Sequence, residues 1–403
     1  MKILYIAFAC NPYIGSEAQC GWSWPANMRK YADVSVVTRR ENRTDIERYM
    51  NEKDIHNIKV FYHDVPDCIN PYYKYGKMYM AYYLLWQKTL YKFVKKLHDK
   101  YYFDYIHHVT LGDFRSISSV WKLDSKFIFG PVGGAQLTPE ALKVYAKTDY
   151  KTERKRSLIN SIVTVMPNYK NALNHTYLVL AANLETKETI KKSMKNPERC
   201  ILLTENGVNQ TQIRDLSEKT ENKKIVLLWS GRMVNRKGIS FLIDVLAKVK
   251  TDKDFVLKLV GDGPEKEKWE VQSRKLNLED KIEFVGKVSY AEMQRLYLNS
   301  DIFVFPSLRE TTGTVLFEAM VNGLPVVTFN QNGAALLIND ECGIKVNVNQ
   351  PIEDIKMEFA NKLKLLIEDF GLRKTMGRAA HKRIVNNYTW SEKCKKFYDE
   401  SLR

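Results

Sequence analysis

Arg232 follows the apolar run IVLLWS, and Lys237 stands five residues further on in GRMVNRKG. If the run is a strand and a helix starts near Lys237, both cations sit at the strand's carboxyl end. Fixed charges there stabilise a leaving group that becomes more negative as its bond breaks. Glu310 and Glu318 lie eight positions apart in PSLRETTGTVLFEAMVNGLPVV. The spacing predicts a polar loop and then a helix from about 313 to 322, with Gly323 as its cap and Pro325 barring continuation. The amides of Gly313, Thr314 and Val315 would be free at the helix start, a site suited to a diphosphate, and Gly313 permits close backbone approach. Glu318 is then about 7.5 Å further along, the reach from a diphosphate to a ribose cis-diol, which a carboxylate can accept from side by side. Glu310 would face the hydroxyls of a sugar on the opposite side. Each piece alone has a plainer reading: Glu310 as a helix cap, Glu318 as a solvated side chain, Arg232 and Lys237 as surface charge. Arg236 reads as a solvated spare cation.

The elements that must position these residues alternate between short apolar strands and longer helical segments. Strands are predicted over 3–9, 34–38, 59–63, 105–109, 127–129, 177–181 and 201–204. A second series is predicted over 225–230, 256–260, 282–285, 302–305 and 325–329. Near-continuous apolar strands between helices imply parallel sheets covered on both faces. The series breaks at 206–224, a polar stretch that reads as a linker. The fold class is therefore α/β, with two doubly wound Rossmann-like domains facing across a deep cleft: 1–205, then 206–386, with a helix over 387–403 crossing back to the first domain. Ligands bind such sheets beyond the carboxyl ends of the strands.

With those motifs in order, the resemblance becomes specific. GRMVNRKG, LVGDGPEKE, IEFVGKV and PSLRETTGTVLFEAMVNGLPVV, at this spacing, look like glycosyltransferase family 4. In the first half NPYIGSEAQCGW, HHVT and FGPVGG resemble the same family, and Asn206-Gly207-Val208 resembles its domain junction. The likeness spans essentially the whole chain. It implies the GT-B fold and retaining transfer from a nucleoside diphosphate sugar. It assigns Arg232 and Lys237 to the donor diphosphate, Glu318 to the ribose, Glu310 to the transferred sugar, Gly15 to the phosphates from the first domain, and Gly286 to Val288 to the base. The sequence departs from the family in two places. Asn332-Gly333 stands where many members have a glycine pair. The strand ending FIFGPVGG lacks the usual histidine, so His107 or His108 on the preceding strand is the catalytic candidate there, against a packing role for both.

The family's reaction is usually described as front-face substitution, needing no protein nucleophile; accordingly there is no Ser-His-Asp set and no glycosidase carboxylate pair. Asp252-Lys253-Asp254 matches a metal motif of other glycosyltransferases but falls before a strand, at the end away from the cleft, and reads as a solvated turn. No metal and no cofactor are expected; the nucleotide sugar is a co-substrate. Gly261–Gly263 and Gly130–Gly134 do not complete a dinucleotide fingerprint. The expected function is transfer to a saccharide or lipid-linked saccharide in cell-surface polysaccharide synthesis. The alternatives are a GT-B nucleotide-sugar epimerase and a basic, non-enzymatic binding protein.

Among the 403 residues, Lys and Arg exceed Asp and Glu by a net charge of +16, which points to an anionic partner. No nucleic-acid signature accompanies it, so nucleic acid is not expected. Residues 72–103 mix tyrosines with Lys88, Lys92, Lys95, Lys96 and Lys100, and a further basic cluster spans 151–156. The helical pattern suits an anionic membrane surface or an ordinary helix covering the first sheet. Cys10, Cys20, Cys68, Cys200, Cys342 and Cys394 lack disulfide or zinc spacing. The apolar start over 3–10 reads as a first strand and not an export signal, giving an expected cytoplasmic location with docking on the inner membrane face as an option.

Overall fold

The computed structural model describes residues 1–15, 17–66, 79–146, 149–216 and 220–402. Cys68 and residues 72–78 of the tyrosine-rich segment lie outside them.

Thirteen strands form two parallel sheets among the described residues. In the first are β1 (Lys2–Ala7), β2 (Asp33–Thr38), β3 (Ile58–Tyr62), β4 (Tyr105–Thr110), β5 (Lys126–Val132), β6 (Leu178–Ala181) and β7 (Cys200–Leu202), in the order β3-β2-β1-β4-β5-β6-β7. In the second are β8 (Ile225–Ser230), β9 (Phe255–Val260), β10 (Ile282–Gly286), β11 (Ile302–Phe305), β12 (Val326–Phe329) and β13 (Gly343–Val346), in the order β10-β9-β8-β11-β12-β13. Every strand but β13 was legible in the sequence. That one is a four-residue edge strand, half-exposed at Ile344 and Lys345, too short and mixed to signal itself.

Both sheets are covered on both faces. In β11, Ile302 and Val304 enter one core with Leu227, Trp229 and Phe359; Phe303 and Phe305 enter the other with Leu228, Tyr297 and Phe317. Successive strand residues point to opposite faces, so only an unbroken apolar strand can supply both cores. This doubly wound α/β architecture matches the expectation.

The chain divides into two compact units. Unit 1 comprises Met1–Ala135, Ile159–Gly207 and Trp390–Arg403; unit 2 comprises Gln136–Leu158 and Val208–Thr389. The segment Gln136–Leu158, placed in the first domain by the sequence reading, therefore groups with the second. Its Leu142, Tyr145 and Ala146 are buried in the same core as Phe241, and Tyr145 donates a 2.5 Å hydrogen bond to Asp244. The 206–224 stretch also starts differently from a free linker: Val208 is buried and its amide donates to the Tyr388 carbonyl at 2.9 Å. The helix Trp390–Phe397 packs in unit 1, where Trp390 and Phe397 meet Trp24 edge-on at 5.8 and 5.3 Å.

Candidate active site at the strand ends of unit 2

The order β10-β9-β8-β11-β12-β13 reverses direction between β8 and β11. Doubly wound sheets bind ligands at such a reversal, beyond the carboxyl ends of the strands. Arg232, Lys237 and Glu310 all lie on the loops leaving these two strands.

Gly238 brings the loops together. It has φ 71°, and a Cβ on it would stand 1.9 Å from the Pro306 carbonyl oxygen, so only glycine lets the turn Asn235–Lys237 rest on the end of β11. The Leu308 amide donates to the Arg236 carbonyl at 2.9 Å and completes the seam. Lys237 is thereby placed to donate to Glu310 Oε2, which also accepts from Arg236 Nη1 at 2.9 Å. Arg236 is thus no solvated spare cation; one carboxylate bridges it to Lys237. Burial alone would raise the Glu310 carboxyl, but the Lys237 and Arg236 charges outweigh it and hold its pKa below the ordinary carboxylate range. Burial pulls Lys237 downward, more than Glu310 pulls it up, and Arg236 adds to the fall. Glu310 thus faces two cations, whereas Lys237 faces one anion and one cation.

Arg232 is exposed, and its guanidinium has no ion-pair or hydrogen-bond partner among the described residues. The amides of Gly313, Thr314 and Val315, at the start of the helix Thr314–Val321, are likewise unbonded there; Leu316 is the first to reach a carbonyl, that of Gly313 at 3.1 Å. Gly313 has φ 93°, and its missing Cβ leaves room for the Phe305 ring. Unpaired amides at a helix start and an unpaired arginine are the donors an anion needs.

Glu318 is held by a residue the sequence reading missed. Tyr297 donates to its Oε2 at 2.8 Å, and the same hydroxyl lies 3.2 Å from Ser230 Oγ, at the end of β8. Burial raises the Glu318 pKa, and the Tyr297 hydrogen bond opposes the rise. Tyr297 rides on the helix Tyr290–Leu298, which starts at the Ser289–Glu292 capping box, just after Gly286 and Val288. Gly286 ends β10 with φ 83° and open space where a Cβ would go. Val288 is half-buried beside the second core.

The loops after β8, β9 and β10 are tied by backbone. Gly231 N donates to Val260 O at 2.9 Å, Met233 N to Asp262 O at 2.8 Å, and Gly261 N to Gly286 O at 2.8 Å. Gly261 is there for this close approach, not for a dinucleotide. The departure Asn332-Gly333 also has a structural account. Asn332 takes φ 56°, the left-handed region that a glycine would occupy and that asparagine tolerates better than most residues.

The unit 1 candidates are placed differently. Gly15 lies in an exposed loop with open space around its Cα. His107 and His108 are fully buried on opposite faces of β4. His107 Nε2 is 2.6 Å from the Gly130 carbonyl, amid Tyr5, Trp24 and Phe397. His108 Nε2 is 3.2 Å from the Thr110 carbonyl and from Tyr83. Burial lowers their pKa values to about 3 and about 4. Both therefore occupy core positions, which corrects the expectation of a histidine facing a substrate. The turn with Asp252-Lys253-Asp254 carries surface ion pairs, Lys253 with Glu221 at 3.0 Å and Asp254 with Lys224 at 3.7 Å. Among the described residues no group of three or more His, Cys, Asp or Glu side chains is gathered as for a metal.

Two doubly wound units, with charged strand-end loops in the second, define the GT-B architecture. Residues 209–383 match the family described as glycosyl transferases group 1. The chain is 27% identical over 225 residues to the uncharacterized glycosyltransferase MJ1607 of Methanocaldococcus jannaschii, covering 53% of this chain and 56% of that protein. It is 31% identical over 191 residues to the capsular polysaccharide biosynthesis glycosyltransferase CapM of Staphylococcus aureus, covering 46% and 49%. The solved structure of Anabaena Alr3699/HepE in complex with UDP aligns over 99% of each chain, with TM-score 0.63 and 18% identity, and is alike in fold. The chain spans about half the length of the curated relatives it matches.

Proposed function

We propose that the protein transfers a glycosyl group, with retention and without a metal, from a nucleoside diphosphate sugar to a saccharide or lipid-linked saccharide in cell-surface polysaccharide synthesis. The observation that carries this reading is the Lys237–Glu310–Arg236 cluster beside the unpartnered Arg232 at the switch point of unit 2. Arg232, Lys237 and the amides of Gly313, Thr314 and Val315 would meet the diphosphate. Glu318 would take the ribose diol, and Gly286 and Val288 would border the base.

In the transfer, the bond from the anomeric carbon to the diphosphate oxygen breaks and a bond to the acceptor oxygen forms on the same face. The acceptor's proton passes to the departing phosphate. Arg232 and Lys237 favour this step because their attraction grows as the phosphate gains charge, the role a divalent cation takes elsewhere. Glu310 suits contact with sugar hydroxyls and not attack on carbon, since a carboxylate bound to two cations is a weak nucleophile.

Thermal shift with UDP, GDP, ADP and dTDP sugars, in EDTA, is the first test. UDP leads because Anabaena HepE binds it. A true donor at 100 times its Kd should stabilise by about 2.7 kcal/mol. Arg232→Ala and Glu318→Ala should keep the fold and lose transfer. Full activity in either variant, or conversion of the donor alone to an epimer, would count decisively against the proposal.

A further inference from the structure

The helix Tyr79–Tyr101 is an ordinary sheet cover: its Tyr82, Tyr83, Trp86, Leu90 and Val94 are buried and its lysines are exposed. Unit 1 carries a less ordinary surface elsewhere. Between β4 and β5 the chain passes through the short turn Ser119–Lys122, and the helix Pro167–His175 packs beside that turn. Two clefts adjoin these segments, of about 480 and 900 Å³, the size of ligand sites. Trp121 and Lys122 line both, so the clefts meet there as one trough. Arg115, soon after the end of β4, lines its first part, and Lys126, at the start of β5, lines its second. The trough therefore runs along unit 1 from the carboxyl-end side of the sheet to its amino end, and every residue lining it belongs to unit 1.

The lining alternates apolar walls with polar groups that the protein leaves unbonded. Ile117, Val163 and Met166 form apolar wall. Asn168 and Asn171, three apart on one helix face, are exposed, and their side-chain amides make no hydrogen bond among the described residues. Trp121 is half-buried, with the His175 ring 5.2 Å from its own, and its indole N–H likewise has no acceptor among the described residues. Tyr169 is buried in the lining, and its hydroxyl has no partner, which is uncommon for a buried polar group. Arg115 is held rigid by Asp113 through two bonds of 2.8 and 2.5 Å. The second cleft mixes Lys122, Lys126 and Arg199 with Asp104 and Asp124.

We infer that this trough binds a saccharide chain. A sugar ring has apolar C–H faces and a rim of hydroxyls. An indole and aliphatic side chains suit the faces, while amides, an indole N–H and carboxylates supply the donors and acceptors that hydroxyls need. The charges in the second cleft are of both signs, so neutral and acidic sugars both fit. The trough's length suits a chain and not a single ring. Sugars held there, away from the reacting end, would anchor a polymer to unit 1. The class of ligand rests on the glycosyl-transfer reading; the residues of the trough are separate from those of the donor site.

An array of defined neutral and uronic-acid oligosaccharides tests it, followed by titration calorimetry with the strongest binder. Trp121→Ala should weaken binding about tenfold or more. Because Trp121 also packs on the core, the surface pair N168A/N171A is the second variant. It should weaken binding about threefold to tenfold while keeping its far-ultraviolet dichroism and any thermal shift by nucleotide sugars. Arg232→Ala, altered in the donor site, should bind the oligosaccharide as the parent does. Trough binding in a chain that binds no nucleotide sugar would therefore support the inference while sinking the donor reading. Absence of any bound saccharide on the array, or binding that both trough variants keep in full, would overturn the inference. So would self-association in sedimentation velocity that N168A/N171A abolishes, since a second copy would then fill the trough.

Discussion

Tyr297 does for Glu318 what Lys237 does for Glu310: it fixes a carboxylate in place. A hydrogen bond to a charged group is worth about 1.5–3 kcal/mol, so Tyr297→Phe should raise the donor KM about tenfold or more with little change in kcat. An unchanged KM would show that Glu318 needs no such support. The buried histidines give a pH signature. Their folded pKa values of about 3 and about 4 lie below the unfolded value near 6.5. Between those limits the unfolded chain binds more protons, so stability falls as pH falls from about 6.5 to 4. Urea unfolding at pH 5 should show unit 1 less stable than at pH 7 by about 2 kcal/mol per histidine, and His107→Phe should flatten the slope. The places of Arg232, Lys237, Glu310 and Glu318 at strand ends and on the helix Thr314–Val321 were legible because strand and cap signals are local in sequence. Tyr297 and Arg236 were not: their partners lie 21 and 74 positions away, and a tyrosine on a helix carries no mark of the carboxylate it will meet.

At the scale of elements, the loop that carries Glu310 is held from two sides. Gly238 seats it from β8. From the other side the excursion Gln136–Leu158 grips its neighbours: Glu153 lies 3.5 Å from Arg309 Nε, and Gln136 donates to Thr311 at 2.9 Å. Breaking a buried pair by removing one partner costs about 3–5 kcal/mol. Glu153→Ala should therefore lower the melting temperature of unit 2 and weaken donor binding, whereas the exposed neighbour Thr152→Ala should do neither. Calorimetry with and without donor would separate the two effects. The strands and the Glu318 helix were legible because apolar period and caps are local signals. The grip was not, since nothing in residues 136–158 distinguishes a strand-to-helix connection in one unit from a segment lent to the other.

At the scale of the whole chain, unit 1 is closed by its C-terminal segment. Phe397 and Trp390 cover Trp24 and His107. Tyr105 and Tyr177 donate to the carbonyls of Leu402 and Ser401 at 3.1 and 3.3 Å. Phe397→Ala should destabilise unit 1 by about 3–5 kcal/mol while leaving the donor-dependent melting of unit 2 in place; a single transition moving as one would contradict this division. The crossing helix was read from the sequence at 387–403, near its true start at Trp390.

Buried at the heart of that closure, Lys393 donates to the carbonyls of Thr204 and Asn206 and lies under the rings of Trp24 and Trp390. Its position in the chain has a consequence for biogenesis. A ribosome makes most of unit 1 and the excursion Gln136–Leu158 first, then the rest of unit 2, and only afterwards the residues that wall in Trp24. The first-made sheet must wait, with an apolar face uncovered, until a later-made domain has been completed. Such a nascent chain is a natural client for chaperones that shield apolar surface.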